Sequence, residues 1–172
     1  MPHREKRYNV KRERGVALVE LALVLTLLLT MLGGVVELGR AIYQYETLTK
    51  SARNAARFLS QYSPLDPDYP IAEAQCLAVF GNTECTGNTL APGLQTTNVV
   101  VCDRNSSPGC PNETFSGYQV HDASDNNGSG QLEESINLVK VVITGYTYSP
   151  IQSLFSFTGV TFGDISVVMR QP

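Results

Sequence analysis

The chain has 172 residues and a net charge of −3, the size of one small domain with additional segments. The total conceals an asymmetry: residues 1–15 carry six basic and two acidic residues, a net of +4, and the remainder nets −7. A basic arm can serve nucleic-acid binding, but this one runs straight into an apolar stretch. That favours a topogenic role, with Lys and Arg held on the cytoplasmic side of a membrane, and leaves nucleic acid out of the expected partners.

The apolar stretch runs from Val16 to Val36, 21 residues with one charge, Glu20. A helix needs about 20 residues to cross a hydrocarbon core of ~30 Å. Thr26 and Thr30 are tolerable within it, because each hydroxyl can bond a carbonyl one turn back. The competing readings are a buried helix of a soluble domain and a secretory signal peptide. A signal peptide has an apolar core of about 7–15 residues followed by a small-x-small cleavage site. This core is longer, and ELGR follows it at 37–40. The expectation is a basic cytoplasmic leader at 1–15, a single retained transmembrane helix at 16–37, and everything after it outside a bacterial inner membrane.

No proline falls between Pro2 and Pro64. Helix-compatible sequence runs from about Ala17 to Ser60, which is ~65 Å at the helical rise. Beyond Val36, Leu38, Ile42, Tyr45, Leu48, Ala52, Ala55 and Leu59 recur at intervals of three or four, with Arg40, Gln44, Glu46, Lys50, Arg53 and Arg57 between them. That pattern predicts an amphipathic extension of the same helix over 38–61 with one apolar stripe. The proline-rich QYSPLDPDYP at 61–70 ends it.

Residues 62–172 form the expected exported domain. IAEAQCLAVF at 71–80 fits a short helix with Pro70 as its first residue and Gly81-Asn82 closing it. Residues 82–96 read as loop and NVVVCD at 98–103 as a strand. Residues 104–131 read as a large polar surface loop or hairpin tip. LVKVVITGYTY at 138–148 is the strongest strand signal, rich in β-branched and aromatic residues. Residues 151–157 are an apolar connection, and ISVVMR at 165–170 is a final strand. The three strands fit a small antiparallel sheet packed on the helix stripe, an α+β fold.

All four cysteines, Cys76, Cys85, Cys102 and Cys110, fall in the exported part, as expected of a disulfide framework. Four cysteines allow three pairings. Cys76–Cys85 with Cys102–Cys110 is the expected one, since each pair closes a short turn-rich loop. Spacings of nine and eight are not zinc-ribbon spacings, and His3 and His121 lie apart from the cysteines. No cofactor or metal is expected. The one weak cation candidate is calcium in the loop from Asp122: aligned to a calcium-binding loop, Asp125, Asn127 and Glu134 fall at ligand positions, but Ala123 stands where the first ligand belongs. The chain has no GxSxG, HExxH or P-loop, so no enzyme is expected.

The sharpest local feature is RERGVALVE at 12–20: charged residues end at Gly15, an apolar run begins, and Glu20 is the fifth residue after the glycine. This resembles the processing site of type IV pilin-like proteins. The longer stretch from Gly15 to Ser60, with VELALVL at 19–25, ELGRA at 37–41 and TKSARNAAR at 49–57, resembles the TadE-like family of tight-adherence pilus assembly. Thr26 and Leu21 stand where the family start has proline and phenylalanine. The last 35 residues also look like the family's ending.

The resemblance implies a pilin-like fold and a minor pilin or pseudopilin. Its partners would be a prepilin peptidase, other pilins and the pilus secretion machinery. Cutting between Gly15 and Val16 would free an α-amino group one helical turn from Glu20. Glu20 then pairs with that group, in its own chain or in a neighbour. Glu37 and Arg40 are expected to mark the water boundary. Arg53 and Arg57 share a helix face that is either solvated or in contact with acidic groups. The readings kept beside this one are an uncleaved signal-anchored envelope scaffold and a surface-binding module acting through residues 104–131.

Overall fold

The computed structural model describes residues 10–105, 109–121, 132–150 and 160–172, with residues 10–14, 120–121 and 132–134 traced by backbone alone. The order of elements is α1 (Val10–Leu59), α2 (Ile71–Phe80), a 3-10 turn (Thr96–Asn98), β1 (Val99–Cys102), β2 (Tyr118–His121), β3 (Leu132–Ile143) and β4 (Ile165–Gln171). The expected α+β class is borne out: a long N-terminal helix packed on a small antiparallel sheet.

α1 is one unbroken helix of 50 residues. It starts seven residues before the expected Ala17, in a segment of Lys, Arg and Glu, all strong helix formers. Its hydroxyls turn back on its own carbonyls: Thr26 Oγ1 donates to Ala22 O and Thr30 Oγ1 to Leu27 O, both at 2.7 Å, so neither hydroxyl is left bare. The helix ends as Gln61 and Tyr62 donate to the carbonyls of Phe58 and Leu59, tightening the last turn ahead of Pro64.

The chain divides into two compact units, Met1–Arg40 and Ala41–Pro172. In the first, the apolar side chains from Val16 to Val36 are exposed, among them Val16, Leu23 and Met31. Gly15–Leu59 is the one helix among the described residues long and apolar enough to cross a membrane.

The second unit has a core built from three sources. α1 supplies Leu48, Ala52, Ala55, Ala56 and Leu59. α2 supplies Ala74, Ala78 and Val79, and the sheet supplies Val99, Val101, Val139, Val141, Ile143 and Ile165. The alanines keep the helices slim where they meet the sheet. The expected stripe is half right. Leu48, Ala52, Ala55 and Leu59 are buried, but Leu38, Ile42 and Tyr45 are exposed, while the polar Gln44 and Ser51 are buried. Ser51 is satisfied by donating to Leu48 O at 2.9 Å.

β3 is the centre of the sheet and pairs antiparallel with all three other strands. The expected pairing of the 98–103, 138–148 and 165–170 strands holds in kind: Val99 faces Ile143 and Ile165 faces Ile143 across the two edges of β3. Two boundaries differ. β3 starts at Leu132 and ends at Ile143, because Gly145 turns the chain at φ +65°. β2 lies inside the stretch expected to be a surface loop or hairpin tip, and Tyr118 to His121 pair with Ile136 to Leu132 through a bulge at Val120/His121. After the turn, Tyr148 N donates to Val160 O at 2.8 Å and Phe162 N to Tyr146 O at 3.0 Å, so the chain comes back alongside itself before β4. The apolar connection expected at 151–157 lies outside the described residues.

α2 begins at Ile71. Pro70 precedes it as the capping residue, rather than opening the helix, and Gly81 ends it at φ +77°, donating to Leu77 O at 3.0 Å. The two disulfides are Cys76–Cys85 and Cys102–Cys110, as expected. The second belongs to the other face of the sheet, where Cys102, Cys110, Phe115 and Val142 form a small cluster with Val100 and Leu138. Lys140 reaches over that face to Glu113 at 2.6 Å. The sheet is thus covered in front by α1 and α2 and behind by the disulfide-closed segment.

Candidate functional site

The residues singled out in the sequence fall on one element. Gly15, Val16, Glu20, Glu37, Arg40, Arg53 and Arg57 all lie on α1. Gly15 has open space around its Cα, and Val16 is 68 % exposed. The helix passes through the Gly15–Val16 bond without a break. A glycine costs a helix up to about 1 kcal/mol relative to alanine, so the helix is locally weakened here, as it is at Gly33, Gly34 and Gly39. Val16 and Glu20 are four residues apart, one turn, on the same side of the helix. Glu20 is exposed in a surface otherwise made of Val19, Leu23 and their like.

Glu37 is buried, only 5 % exposed. Arg40 is half-buried. Arg53 and Arg57 are both exposed and make no ion pair among the described residues, in keeping with the solvated reading of their face. Asp122, Asp125 and Asn127 lie outside the described residues, and Glu134 is in β3. Among the described residues no cluster of three or more His, Cys, Asp or Glu side chains is placed to hold a metal ion.

Two polar attachments of α1 were not foreseen. The first is Gln44. Its Oε1 lies 3.1 Å from the Tyr146 hydroxyl, which also lies 3.0 Å from the Pro92 carbonyl. One hydroxyl proton is shared between the two acceptors, linking the helix to the turn after β3. Around this joint Phe162 is the centre of an aromatic group, with ring centroids 5.8 Å from Tyr45, 5.6 Å from Tyr146 and 6.1 Å from Tyr148. Tyr45 therefore works as a packing residue although it is partly exposed.

The second attachment is at the end of the helix. Gln171 Nε2 donates to Leu59 O at 3.2 Å, to Tyr62 O at 3.4 Å and to the Tyr69 oxygen at 2.6 Å. A side-chain amide from the last strand thus ties the end of α1 and the turn after it to β4; Leu59 O already accepts from Tyr62 N, and Gln171 adds a second donor. Burial pushes the Tyr69 hydroxyl up to about 12. The Gln171 amide works against that shift, and the nearby Asp103 carboxylate adds to it. Nearby, Asn105 Nδ2 donates to Pro64 O, holding the linker after α1 against the segment after β1. The sequence carried no signal for these joints, since each pairs residues more than 40 positions apart.

Comparison with curated proteins and with solved structures finds no match. The family comparison does find one: residues 15–57 match the model of the TadE-like protein family, over about a quarter of the chain. The matched segment takes in the exposed apolar half of α1 and most of the half that builds the core of the second unit. The resemblance drawn from Gly15 to Ser60 is therefore borne out, and α1 carries a TadE-like segment of the kind found in pilus components.

Proposed function

We propose that the chain is a minor pilin or pseudopilin of a tight-adherence pilus, a structural subunit and not an enzyme, cut after Gly15 by a prepilin peptidase. The observation that carries this reading is where the TadE-like match falls. It begins at Gly15, immediately before the apolar run, and ends at Arg57, within the turns of α1 whose Ala52, Ala55, Ala56 and Leu59 build the core of the folded unit. One helix thus joins a lipid-compatible half to a domain anchor. A filament subunit needs both: a span by which it is stored in the membrane and drawn into a helical bundle, and a rigid connection that carries the domain with it.

In this reading the inner membrane holds residues 16–37, the leader 1–15 is cytoplasmic, and the domain with its two disulfides is exported. The basic leader keeps the Gly15–Val16 bond at the cytoplasmic interface. Glycine offers a peptidase cleft a backbone without a side chain. The freed amino group of Val16 then meets Glu20 of its own chain or of the next subunit, neutralising a charge that is costly in lipid. Other pilins and the pilus secretion machinery are the partners.

The second reading, an uncleaved anchor carrying an envelope scaffold, draws on the unbroken helix across Gly15–Val16. N-terminal sequencing of protein extracted from membranes of cells with and without a prepilin peptidase separates the two. Val16 at the N-terminus, only where the peptidase is present, is the expected result. Met1 or Pro2 in both strains overturns the processing.

A further inference from the structure

The two disulfides differ in what covers them. Cys102 and Cys110 are buried in the cluster behind the sheet, with Phe115 and Val142 against them. Cys76 is 9 % exposed on α2, but its partner Cys85 is exposed on the open loop that follows. Cys85 is also the one non-glycine residue with positive φ, +55°, among the described residues. That region crowds Cβ against the backbone of an L residue. Hydrogen bonds from Asn82 stabilise the loop around it: Asn82 Nδ2 donates to Thr86 O at 2.7 Å, and Asn82 Oδ1 accepts from the N–H groups of Glu84 and Thr86 at 3.2 and 3.1 Å. Cys85 forms one wall of an open groove of about 590 Å³ that Phe80, Thr89 and Leu94 also line.

We infer that Cys76–Cys85 is a thiol–disulfide exchange site of this domain, and that Cys85 Sγ is the sulfur an external dithiol attacks. The groove gives approach to Cys85, and α2 screens Cys76. In the exchange, a thiolate of the dithiol bonds to Cys85 Sγ as the Cys76–Cys85 bond breaks. The electron pair leaves on Cys76 Sγ, which takes up a proton. The second thiol of the reductant then attacks its own partner sulfur in the mixed disulfide and releases Cys85 as a thiol. The dithiol ends as a disulfide and the chain gains two thiols.

Reduction acts on the loop alone. Cys85 is no longer held at positive φ, and the groove wall it forms opens. The core contacts of Ala74, Ala78, Val79, Ala91 and Leu94 do not involve either sulfur. Leu90 N also stays bonded to Val79 O, at 2.8 Å, which keeps the far end of the loop in place. Cys102–Cys110 has no comparable access, because its sulfurs are reached only by opening the cluster behind the sheet.

The test uses the full chain in detergent micelles, treated with graded dithiothreitol, pulsed with N-ethylmaleimide and mapped by peptide mass spectrometry. Cys76 and Cys85 are expected to label at least about tenfold faster than Cys102 and Cys110, with an unchanged far-UV spectrum when the first pair is fully labelled. Equal rates, or earlier labelling of Cys102 and Cys110, overturn the inference. Two single variants then ask which sulfur is attacked. With oxidised glutathione, C76S should acquire glutathione at Cys85 about tenfold faster than C85S acquires it at Cys76. Equal rates overturn that assignment. Should the variants not fold, brief exposure of the unaltered chain to reduced glutathione assigns the sulfur: the trapped adduct is expected on Cys85, and an adduct on Cys76 overturns the assignment.

Discussion

The side-chain amide of Gln171 donates to the carbonyl of Leu59 across 112 positions of sequence, joining the end of the last strand to the end of the long helix. Gln171 is buried, and its Oε1 has no partner among the described residues. The residue therefore brings two opposed effects: it ties the end of α1 to β4 through added hydrogen bonds, and it carries an unpaired acceptor into the interior. Truncation removes both at once. Q171A is expected to cost about 1 kcal/mol, the low end of the range for a buried hydrogen-bonding group. Thermal unfolding of the full chain in detergent checks this. An unchanged or higher Tm would mean that these bonds do not stabilise the helix end.

Tyr69 gives the same corner a pH dependence. Its hydroxyl is held up to about 12 in the folded chain, against an ordinary value of 10. Between those two values the unfolded chain loses the proton and the folded chain keeps it, so stability falls as pH rises through that window and is full below it. Urea unfolding at pH 9, 10, 11 and 12 should show this decline, and Y69F should flatten it. A decline of equal slope in Y69F assigns it to other groups.

Gly109 is set by close approach. A Cβ built on it would run into the Val100 side chain, where the segment after β1 lies on the back of the sheet. G109A should cost about 1–3 kcal/mol through overpacking. It should also speed reduction of Cys102–Cys110 by loosening the cover over that bond. G117A is not a matching control, because Gly117 sits at φ +71°. G34A, with open space and a helical backbone, is the one to compare.

Glu20 carries the assembly prediction. E20A should leave cleavage after Gly15 intact and lower the amount of the chain recovered in sheared pili. Immunoblots of membrane and pilus fractions measure both quantities. Unchanged pilus content in E20A rules out the pairing role.

The sequence made the helix legible because its signals are local: a run without proline, an apolar window, and a short motif with Gly15 and Glu20 at fixed spacing. The disulfide pairing and two of the three partners of β3, β1 and β4, were legible as well. Its errors came where partners are distant. Gln44 is polar and reads as solvent-facing, yet its tertiary hydrogen bond makes its burial tolerable; Ser51, on which the pattern makes no statement, is buried with its hydroxyl turned back on Leu48 O. β2 alternates in YQVH but is only four residues long, and the first six residues of β3 have Leu132 and Ile136 as their only apolar side chains, so pairing between the two segments makes them strands. Gly145 cuts the strongest strand signal short between Thr144 and Tyr146, both residue types that favour a strand.

The arrangement of β4 also bears on the order in which the molecule is made. Leu48 to Leu59 leave the ribosome well before Ile165 to Gln171, which complete the sheet beside them. The apolar face of the helix meets α2 and β1 first and is fully covered only when β4 pairs with β3, so until then it depends in part on whatever shields newly made apolar surface.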